Sequence, residues 1–152
     1  MDLRKAFFEQ MCKIADKDHD VILLVGDLGF SFMETYALKY SDQFINVGSS
    51  EQHIIGMAAG LALGGKKPYV YSGAIFAIMR PYEQVRHLAF NNMNVKVLGT
   101  GASGFLGWTH NLQGTENEND LLKNLPIKQF YPKNEADLEN ALSQDGPSYI
   151  RL

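Results

Sequence analysis

The sequence predicts an α/β fold with three layers, in which helices cover both faces of a mainly parallel sheet. Short apolar runs alternate with helical patterns along the whole chain, as in successive βαβ units. The first run, Val21-Ile22-Leu23-Leu24-Val25, is continuously apolar, which is typical of a central strand covered on both faces. A length of 152 residues is sufficient for one hydrophobic core, so we predict a single domain over residues 1–152.

The elements follow from apolar periodicity and from the turn residues between the runs. Residues 2–16 carry apolar side chains at helical spacing, and the polar segment 16–20 separates this helix from the first strand. Further strands are predicted at 44–47, 68–73, 95–101, 127–132 and 149–152. Further helices are predicted at 30–39, 51–63, 82–90, 119–124 and 135–143. The Gly-rich segment 102–117 is predicted to be a loop, and loops of that length in compact domains are usually functional or disordered.

Composition excludes several classes of protein. Hydrophobic residues make up 45% of the chain and charged residues 20%, which is typical of a globular protein rather than a disordered one. The net charge is −3 with no basic block, so nucleic acid and anionic membranes are not expected partners. No apolar stretch reaches the length of a membrane span, and no basic-then-apolar leader opens the chain. The single Cys12 cannot form an internal disulfide and suits a reducing compartment, so we expect a cytoplasmic protein.

The segment Val47-Gly48-Ser49-Ser50-Glu51 carries the main candidate for chemistry. It is interpreted as the end of a strand, a tight turn and a helix start, with Ser49 or Ser50 as the N-cap. Glu51 would then lie at the carboxyl end of a parallel strand, where ligands of open α/β sheets bind. An acid in the first helical turn also complements the helix dipole, and the spacing alone favours that structural role. The small residues of the helix that follows permit close approach of another backbone, and we expect a mixture of packing on the same sheet and contact with another subunit. They are Gly56, Ala58, Ala59, Gly60 and Ala62.

Residues 48–53, Gly-Ser-Ser-Glu-Gln-His, and the Ala-Ala-Gly-Leu-Ala run 58–62 together resemble the pyrimidine-binding domain of thiamine diphosphate enzymes, in the transketolase and deoxyxylulose-phosphate synthase branch. The lead-in 40–48 and the segment 64–68 resemble the same family, in the same order. The resemblance covers nearly the whole chain, and this collinearity is more specific than the Glu-Gln-His triplet alone.

The resemblance implies that Glu51 is a catalytic and cofactor-binding residue. In the family, a glutamate carboxyl group bonds to the pyrimidine ring nitrogen and makes the cofactor's own aminopyrimidine act as the base. Phe76 falls on the family's stacking aromatic residue, with Ile75 as a substitute because the family's loop is one residue shorter than the stretch between Phe76 and Tyr82 here; ordinary core packing is the alternative. Asp27 resembles an acid near the cofactor, and a turn-stabilising aspartate is an equally good interpretation.

Two further residues are candidates for substrate binding. Thr109-His110 resembles the Thr-His of the family, whose histidine reaches a substrate oxygen and moves a proton near neutral pH, so His110 is predicted to be catalytic. Arg80 could bind a substrate phosphate or a partner acid, and a surface salt bridge is the alternative. Phe105 and Leu106 stand where transketolases carry an acidic pair that contacts a substrate hydroxyl, which puts the usual ketose substrate in question.

The family's magnesium site is missing from this sequence. The family holds the diphosphate through magnesium bound by a Gly-Asp-Gly motif and a downstream Asn, and Gly26-Asp27-Leu28-Gly29 does not match that motif. No metal ligand is therefore predicted in this chain. The resemblance implies that the cofactor, thiamine diphosphate, is shared with a partner chain of the diphosphate-binding, transketolase N-terminal type. That partner would hold the magnesium, in an α2β2 complex with closed symmetry.

Three hypotheses about function follow. The leading one is the pyrimidine-binding subunit of a split transketolase-like enzyme, which transfers a two-carbon ketol unit between sugar phosphates. The second is a subunit of a split thiamine diphosphate-dependent 2-oxoacid decarboxylase or dehydrogenase. The third is a non-catalytic scaffold domain. Retention of both Glu51 and His110 argues against the third hypothesis, since degeneration would most readily remove these residues.

Overall fold

A computed structural model describes residues 2–101 and 118–152. Its strands are β1 (Val21–Val25), β2 (Phe44–Asn46), β3 (Lys67–Gly73), β4 (Lys96–Thr100), β5 (Lys128–Phe130) and β6 (Ser148–Arg151). They form a six-stranded sheet in the order β2-β1-β3-β4-β6-β5, and neighbouring strands are parallel throughout. The predicted parallel sheet is confirmed.

The helices lie on both sides of this sheet. They are α1 (Leu3–Ala15), α2 (Glu34–Lys39), α3 (Glu51–Leu63), α4 (Ala74–Ile78), α5 (Tyr82–Phe90), α6 (Glu118–Leu122) and α7 (Glu135–Ser143). Helices α1, α2 and α7 pack on one face of the sheet, and α3, α4, α5 and α6 pack on the other. The chain therefore has the three-layer α/β/α architecture that the sequence predicts.

Each face of the sheet has its own hydrophobic core, because successive side chains of a strand point to opposite sides. In β1, Leu23 and Val25 join the core beneath α1 and α2, whereas Ile22 and Leu24 join the core beneath α3 and α5. Every residue of β1 is buried. The continuous apolar run in the sequence thus corresponds to a strand covered on both faces.

Most element bounds agree with the predicted ones to within two residues, and two regions differ. Helix α2 begins at Glu34 rather than near residue 30, because Gly29 (φ 104°) and Ser31 (φ 74°) adopt left-handed conformations that a right-handed helix cannot include. The Ser31 amide instead donates to Glu34 Oε1 at 2.9 Å. The second difference is α4, which starts directly after β3 in a segment for which no element was predicted.

The glycines of α3 lie on its outer face. A Cβ atom at Gly56 or Gly60 would meet no atom within 4 Å, whereas Ala58 on the inner face is fully buried. Of the two expected uses of these small residues, packing on the chain's own sheet therefore holds for Ala58 and not for the two glycines. Packing against another subunit stays a prediction.

The chain order of the strands places a crevice at the carboxyl edge of the sheet. Strand β1 is followed by β2 on one side, and the chain then returns to β3 on the other side of β1. Such a reversal separates the loops at the carboxyl ends of the strands and opens a ligand site between them. The segments after β2 and β3 begin α3 and α4 at this edge. No helix among the described residues is long and apolar enough to cross a membrane.

Candidate active site

Glu51 is the first residue of α3 and is only 5% exposed. Strand β2 ends five residues earlier, and Gly48 (φ 76°) turns the chain between them in a conformation that favours glycine. Ser50 occupies the predicted N-cap position but forms no capping bond; its Oγ donates to the Val47 carbonyl at 3.1 Å. The expected capping bond is absent because this hydroxyl faces back into the turn.

The buried carboxylate of Glu51 is paired with Arg80. The Arg80 Nη1 atom donates to Glu51 Oε1 at 2.8 Å, and the Arg80 side chain is 42% exposed. The same guanidinium lies over the ring of Phe76, with its Cζ atom 3.8 Å from the ring centroid. Arg80 therefore brings together two residues of the predicted site, Glu51 and Phe76, although it is 29 positions from Glu51 in the sequence.

Beside this pair is an open cavity of about 510 Å³, lined by Ser49, Ser50, Glu51, Gln52, His53 and Arg80. The backbone of Arg80 is tied to the cavity wall, because Gln52 Nε2 donates to the Arg80 carbonyl at 3.3 Å. The first residues of α3 thus form one wall, and the turn between α4 and α5 forms the other. A buried acid beside an open polar cavity at the carboxyl edge of a parallel sheet is typical of a ligand site.

The structure does not bring Asp27 into contact with Glu51. Asp27 follows β1, is exposed and has φ 54°, a conformation that aspartate tolerates in turns. Its amide donates to Asn46 Oδ1 at 3.2 Å, and the same oxygen accepts from the Gly48 amide at 3.0 Å. Asn46 therefore links the ends of β1 and β2, and sequence reasoning missed this role.

Of the remaining predicted residues, Ile75 and Phe76 are half-buried neighbours on α4. Phe76 reaches the site through the Arg80 guanidinium. His110 lies outside the described residues, as do its neighbour Thr109 and the rest of the segment 102–117. Gln52 belongs to the Glu-Gln-His triplet, but nothing in the sequence indicated its bond to the Arg80 backbone.

A second buried Glu–Arg pair lies at the same edge of the sheet. Arg151, at the end of β6, pairs through Nη1 with Glu118 Oε1 at the start of α6. The Tyr149 hydroxyl donates to the same carboxylate oxygen at 3.4 Å. Burial raises the pKa of Tyr149 above its ordinary value, so it acts as a neutral donor. Gly99 makes room for this tyrosine, since a Cβ atom there would lie 2.9 Å from Cε2 of the Tyr149 ring. The same atom would also lie 2.9 Å from the Cα of Ala74.

The comparisons with known proteins agree with this architecture. The sequence profile described as "Transketolase, pyrimidine binding domain" matches residues 1–152. The 6-deoxy-6-sulfo-D-fructose transketolase subunit SqwH of Clostridium sp. (strain MSTE9) is 33% identical over 161 residues, covering 99% of this chain and 49% of that protein. An apulose-4-phosphate transketolase subunit of Phocaeicola vulgatus is 38% identical over 112 residues, covering 70% of this chain and 36% of that protein.

A solved structure is also similar. It is described as "Split gene transketolase, inactive beta4 tetramer", and the superposition has a TM-score of 0.82 at 30% identity, covering 98% of this chain and 50% of that one. Fold and site together define a ligand-binding domain of the open α/β class. The chain belongs to the pyrimidine-binding domain family of transketolases. It spans half or less of the length of the two relatives, 49% and 36%.

Membership of this family implies dependence on thiamine diphosphate, and the residues present fit the pyrimidine half of that cofactor. A flat conjugated group, the Arg80 guanidinium, lies on Phe76 and donates an N–H to the buried Glu51. The space between the phenylalanine ring and the carboxylate therefore accepts a planar nitrogen donor. For the metal, no group of three or more His, Cys, Asp or Glu side chains suited to an ion occurs within residues 2–101 and 118–152.

Proposed function

We propose that this chain is the pyrimidine-binding subunit of a split transketolase-like transferase, which moves a two-carbon ketol unit between sugar phosphates. One observation carries the proposal: the buried carboxylate of Glu51 faces an open cavity, with a planar N–H donor stacked on Phe76 and bonded to Glu51 Oε1. A carboxylate held rigidly at a helix start is the group that a pyrimidine ring nitrogen needs.

The roles of the residues follow from their chemistry. When bound, thiamine diphosphate supplies a nucleophilic thiazolium carbon that attacks the substrate carbonyl. The Glu51 carboxyl group would donate its proton to the pyrimidine ring nitrogen and then accept a hydrogen bond from the resulting ring N–H, which favours the proton shift that makes the pyrimidine amine a base. Phe76 would stack on the ring, with Ile75 beside it on the same helix. His110 is proposed to move a proton at a substrate oxygen, and Arg80 to bind a substrate phosphate.

Asp27 is proposed to have an indirect role in cofactor binding. It follows β1 at the edge of the sheet that also carries Glu51, so it is proposed to lie on the cofactor side of the crevice. Its observed bonds to Asn46 are those of a turn residue. Asp27 would therefore act on the cofactor by holding the loop after β1, with its carboxylate oriented by Asn46.

The partner proposal rests on the relatives and on the family resemblance. The two curated relatives are named as transketolase subunits, and this chain covers half or less of each. We propose that a diphosphate-binding chain of the transketolase N-terminal type holds magnesium and completes the active site, in an α2β2 assembly. A cytoplasmic location and a role in carbohydrate metabolism remain predictions; the first rests on the single Cys12.

Calorimetry with thiamine diphosphate and Mg²⁺ tests the proposal, first on this chain alone and then on the chain with its co-purifying partner. We expect tight binding only in the mixture, because residues 2–101 and 118–152 contain no cluster of side chains that could hold an ion for the charged diphosphate. Tight binding by the chain alone would contradict the shared site. Absence of binding in both samples would contradict the enzyme proposal and favour a scaffold domain.

One sequence observation favours a second candidate. Phe105 and Leu106 replace the acidic pair of the transketolase loop, and apolar residues there suit a smaller, less hydroxylated donor such as a 2-oxoacid. The assembled complex should therefore be assayed with pyruvate-like acids and with ketose phosphates side by side. Turnover of the ketose phosphates alone would support the leading proposal, and turnover of the acids alone would support a split 2-oxoacid decarboxylase or dehydrogenase.

A further inference from the structure

Arg80 makes two contacts at the candidate site that a pyrimidine would also need. Its Nη1 atom donates to Glu51 Oε1 at 2.8 Å, which is a charge-assisted hydrogen bond to a buried carboxylate. Its guanidinium plane lies 3.8 Å from the centroid of the Phe76 ring, measured from Cζ. A guanidinium is flat, conjugated and rich in N–H donors, so it resembles the amidine edge of an aminopyrimidine in both shape and bonding.

The guanidinium and the pyrimidine cannot stack on the same face of the Phe76 ring at the same time. We infer that Arg80 occupies the pyrimidine position in the free chain, and that thiamine diphosphate must displace it to reach Glu51 and Phe76. This inference rests on the function proposed above, and it adds a competitor within the chain itself. Arg80 is thus a residue that tunes cofactor affinity, in addition to any contact that it makes with substrate after it leaves.

Burial of Glu51 explains why an occupant is needed. A carboxylate that is only 5% exposed is costly to leave without a charged or hydrogen-bonding partner. Arg80 supplies that partner before the cofactor arrives. It thereby keeps the start of α3 and the turn after α4 together in the free chain.

The position of Arg80 also permits its release. Its side chain is 42% exposed, so the guanidinium can rotate from the pair into the open cavity without passing through the core. Its backbone stays in place, because Gln52 Nε2 holds the Arg80 carbonyl at 3.3 Å. Displacement therefore requires a change of side-chain rotamer and no movement of a helix.

A side chain that occupies the site reduces the apparent affinity for the ligand. The apparent affinity equals the intrinsic affinity multiplied by the fraction of molecules in which the side chain has already left the site. Replacing Arg80 with a residue that cannot bond to Glu51 removes this competition. We therefore expect Arg80→Ala to bind the pyrimidine about tenfold more tightly than the wild type, since one charge-assisted hydrogen bond no longer has to be broken.

The experiment measures binding of thiamine, which carries the pyrimidine but no diphosphate, to the purified chain by NMR titration at millimolar concentrations. The variants are Arg80→Ala, Arg80→Met, Glu51→Gln and the control Arg86→Ala. Arg86 is a matched control, because its guanidinium also lies over a phenylalanine ring, Phe90, at 5.0 Å and on the exposed side of α5. The Met variant keeps an aliphatic stem over Phe76 and loses the N–H donors.

Tighter thiamine binding by the Arg80 variants, with Arg86→Ala unchanged and Glu51→Gln weakened, supports the inference. Equal or weaker binding by Arg80→Ala and Arg80→Met, while wild-type binding still depends on Glu51, overturns it and leaves the proposed function standing. Absence of thiamine binding in every variant overturns the inference too, because removal of Arg80 should free the site, and the calorimetry on the mixture then decides the proposed function separately. If Arg80→Ala does not fold, the side-chain ¹⁵N signals of the wild type decide: saturating thiamine must shift those of Arg80 and leave those of Arg86 in place.

Discussion

Two buried glutamates at the carboxyl edge of the sheet each pair with an arginine, and the pairs differ in how far they are open to water. Glu51 is 5% exposed, but its partner Arg80 is 42% exposed and borders the open cavity. Glu118 and Arg151 are 10% and 17% exposed, and the Tyr149 hydroxyl donates to the same carboxylate. We call Glu51–Arg80 the open pair, because its arginine is accessible to water, and Glu118–Arg151 the closed pair, because both of its side chains are largely shielded from water.

This difference separates an exchangeable pair from an architectural one. Solvent reaches the arginine of the Glu51 pair, so its charge interaction is screened and its release costs little. The Glu118 pair has lost most of its hydration, and removing either partner would leave an uncompensated buried charge. The Glu51–Arg80 pair is therefore a contact that a ligand can replace, whereas the Glu118–Arg151 pair holds α6 against β6.

The largest expected effect concerns the open pair. Glu51→Gln, in this chain assembled with its partner, should lower turnover by about 10²- to 10⁴-fold, the range for loss of an acid–base group. The free energy of unfolding should change little, because glutamine is nearly the same size. Steady-state kinetics on the assembled complex measures the effect.

Glu34→Gln is the control for this prediction. Glu34 also lies in the first turn of its helix, so it would share any loss that came only from the helix dipole. Full activity of Glu51→Gln in an intact complex would contradict the catalytic role, and an equal loss in Glu34→Gln would return Glu51 to the dipole interpretation.

The closed pair should dominate stability. Arg151→Ala leaves Glu118 buried without its charge partner, so we expect a loss of about 3–5 kcal/mol in the free energy of unfolding. Arg80→Ala should cost less, about 1–2 kcal/mol, because Arg80 is 42% exposed and water from the cavity can replace part of its hydrogen bond to Glu51. Urea unfolding of the lone chain gives both values.

A double variant sharpens this comparison. Glu118→Gln with Arg151→Met removes both charges and keeps similar volumes, so it should recover most of the stability that Arg151→Ala loses. Equal losses for Arg80→Ala and Arg151→Ala would show that the two pairs do not differ as their exposure indicates.

The sequence predicts the parts of the site that depend on local pattern. Turn residues after an apolar run placed the start of α3 at Glu51, and the continuous run of β1 indicated a strand buried on both faces. Neither Glu–Arg pair could be found in this way. Arg80 and Glu51 are 29 positions apart, and their contact depends on α4, a five-residue helix too short for its periodicity to be recognised.

Similar reasons account for the other residues that were missed. Asn46 bonds to the turns after both β1 and β2, and this role exists only once the two strands are neighbours in the sheet. The Ser50 hydroxyl had two local partners of similar strength, and the tertiary turn selected the carbonyl of Val47. Sequence spacing gives the chemistry available at such positions, and long-range packing decides which bond is made.

A third buried charge, at the opposite edge of the sheet, has no carboxylate within ion-pair distance among the residues that the structure describes. Lys96 is 5% exposed and its Nζ contacts Asn94 Oδ1. Burial lowers the pKa of Lys96 to about 8, with a small opposing effect from Asp145 and small contributions in the same direction from Lys128 and Lys67. The pKa of lysine in the unfolded chain is about 10.4. Between these values the unfolded chain binds more protons, so the free energy of unfolding rises with pH.

Lys96→Met should therefore stabilise the chain at pH 7 by about 2 kcal/mol, and this advantage should shrink between pH 8 and pH 10. Urea unfolding of wild type and variant across that range measures the difference, in which the titration of other groups cancels. An advantage that stays constant from pH 7 to pH 10 would contradict the lowered pKa. The result would allow the effect of the buried Lys96 charge on the free energy of unfolding to be compared with the effects of the two Glu–Arg pairs.

The smallest effect concerns the helix that carries Glu51 at its first residue. A Cβ atom at Gly56 would meet nothing within 4 Å, so Gly56→Ala should raise the free energy of unfolding of the lone chain by about 0.5–1 kcal/mol through helix propensity. Thermal unfolding measures this gain. Gly99→Ala is the opposite control, because a Cβ there would lie 2.9 Å from the Cα of Ala74 and should destabilise the chain.

A stiffer α3 should leave the Glu51–Arg80 pair and the thiamine affinity unchanged, because Gly56 lies about one helical turn beyond residues 49–53 and does not line the cavity. Assembly is a separate readout. If the outer face of α3 contacts another subunit, the added methyl group should reduce the assembled fraction in size-exclusion chromatography while the lone chain becomes more stable. Higher stability with unchanged assembly would show that α3 uses its glycines for neither of the two expected contacts. A change in thiamine affinity would show that the Glu51–Arg80 pair depends on the rigidity of α3.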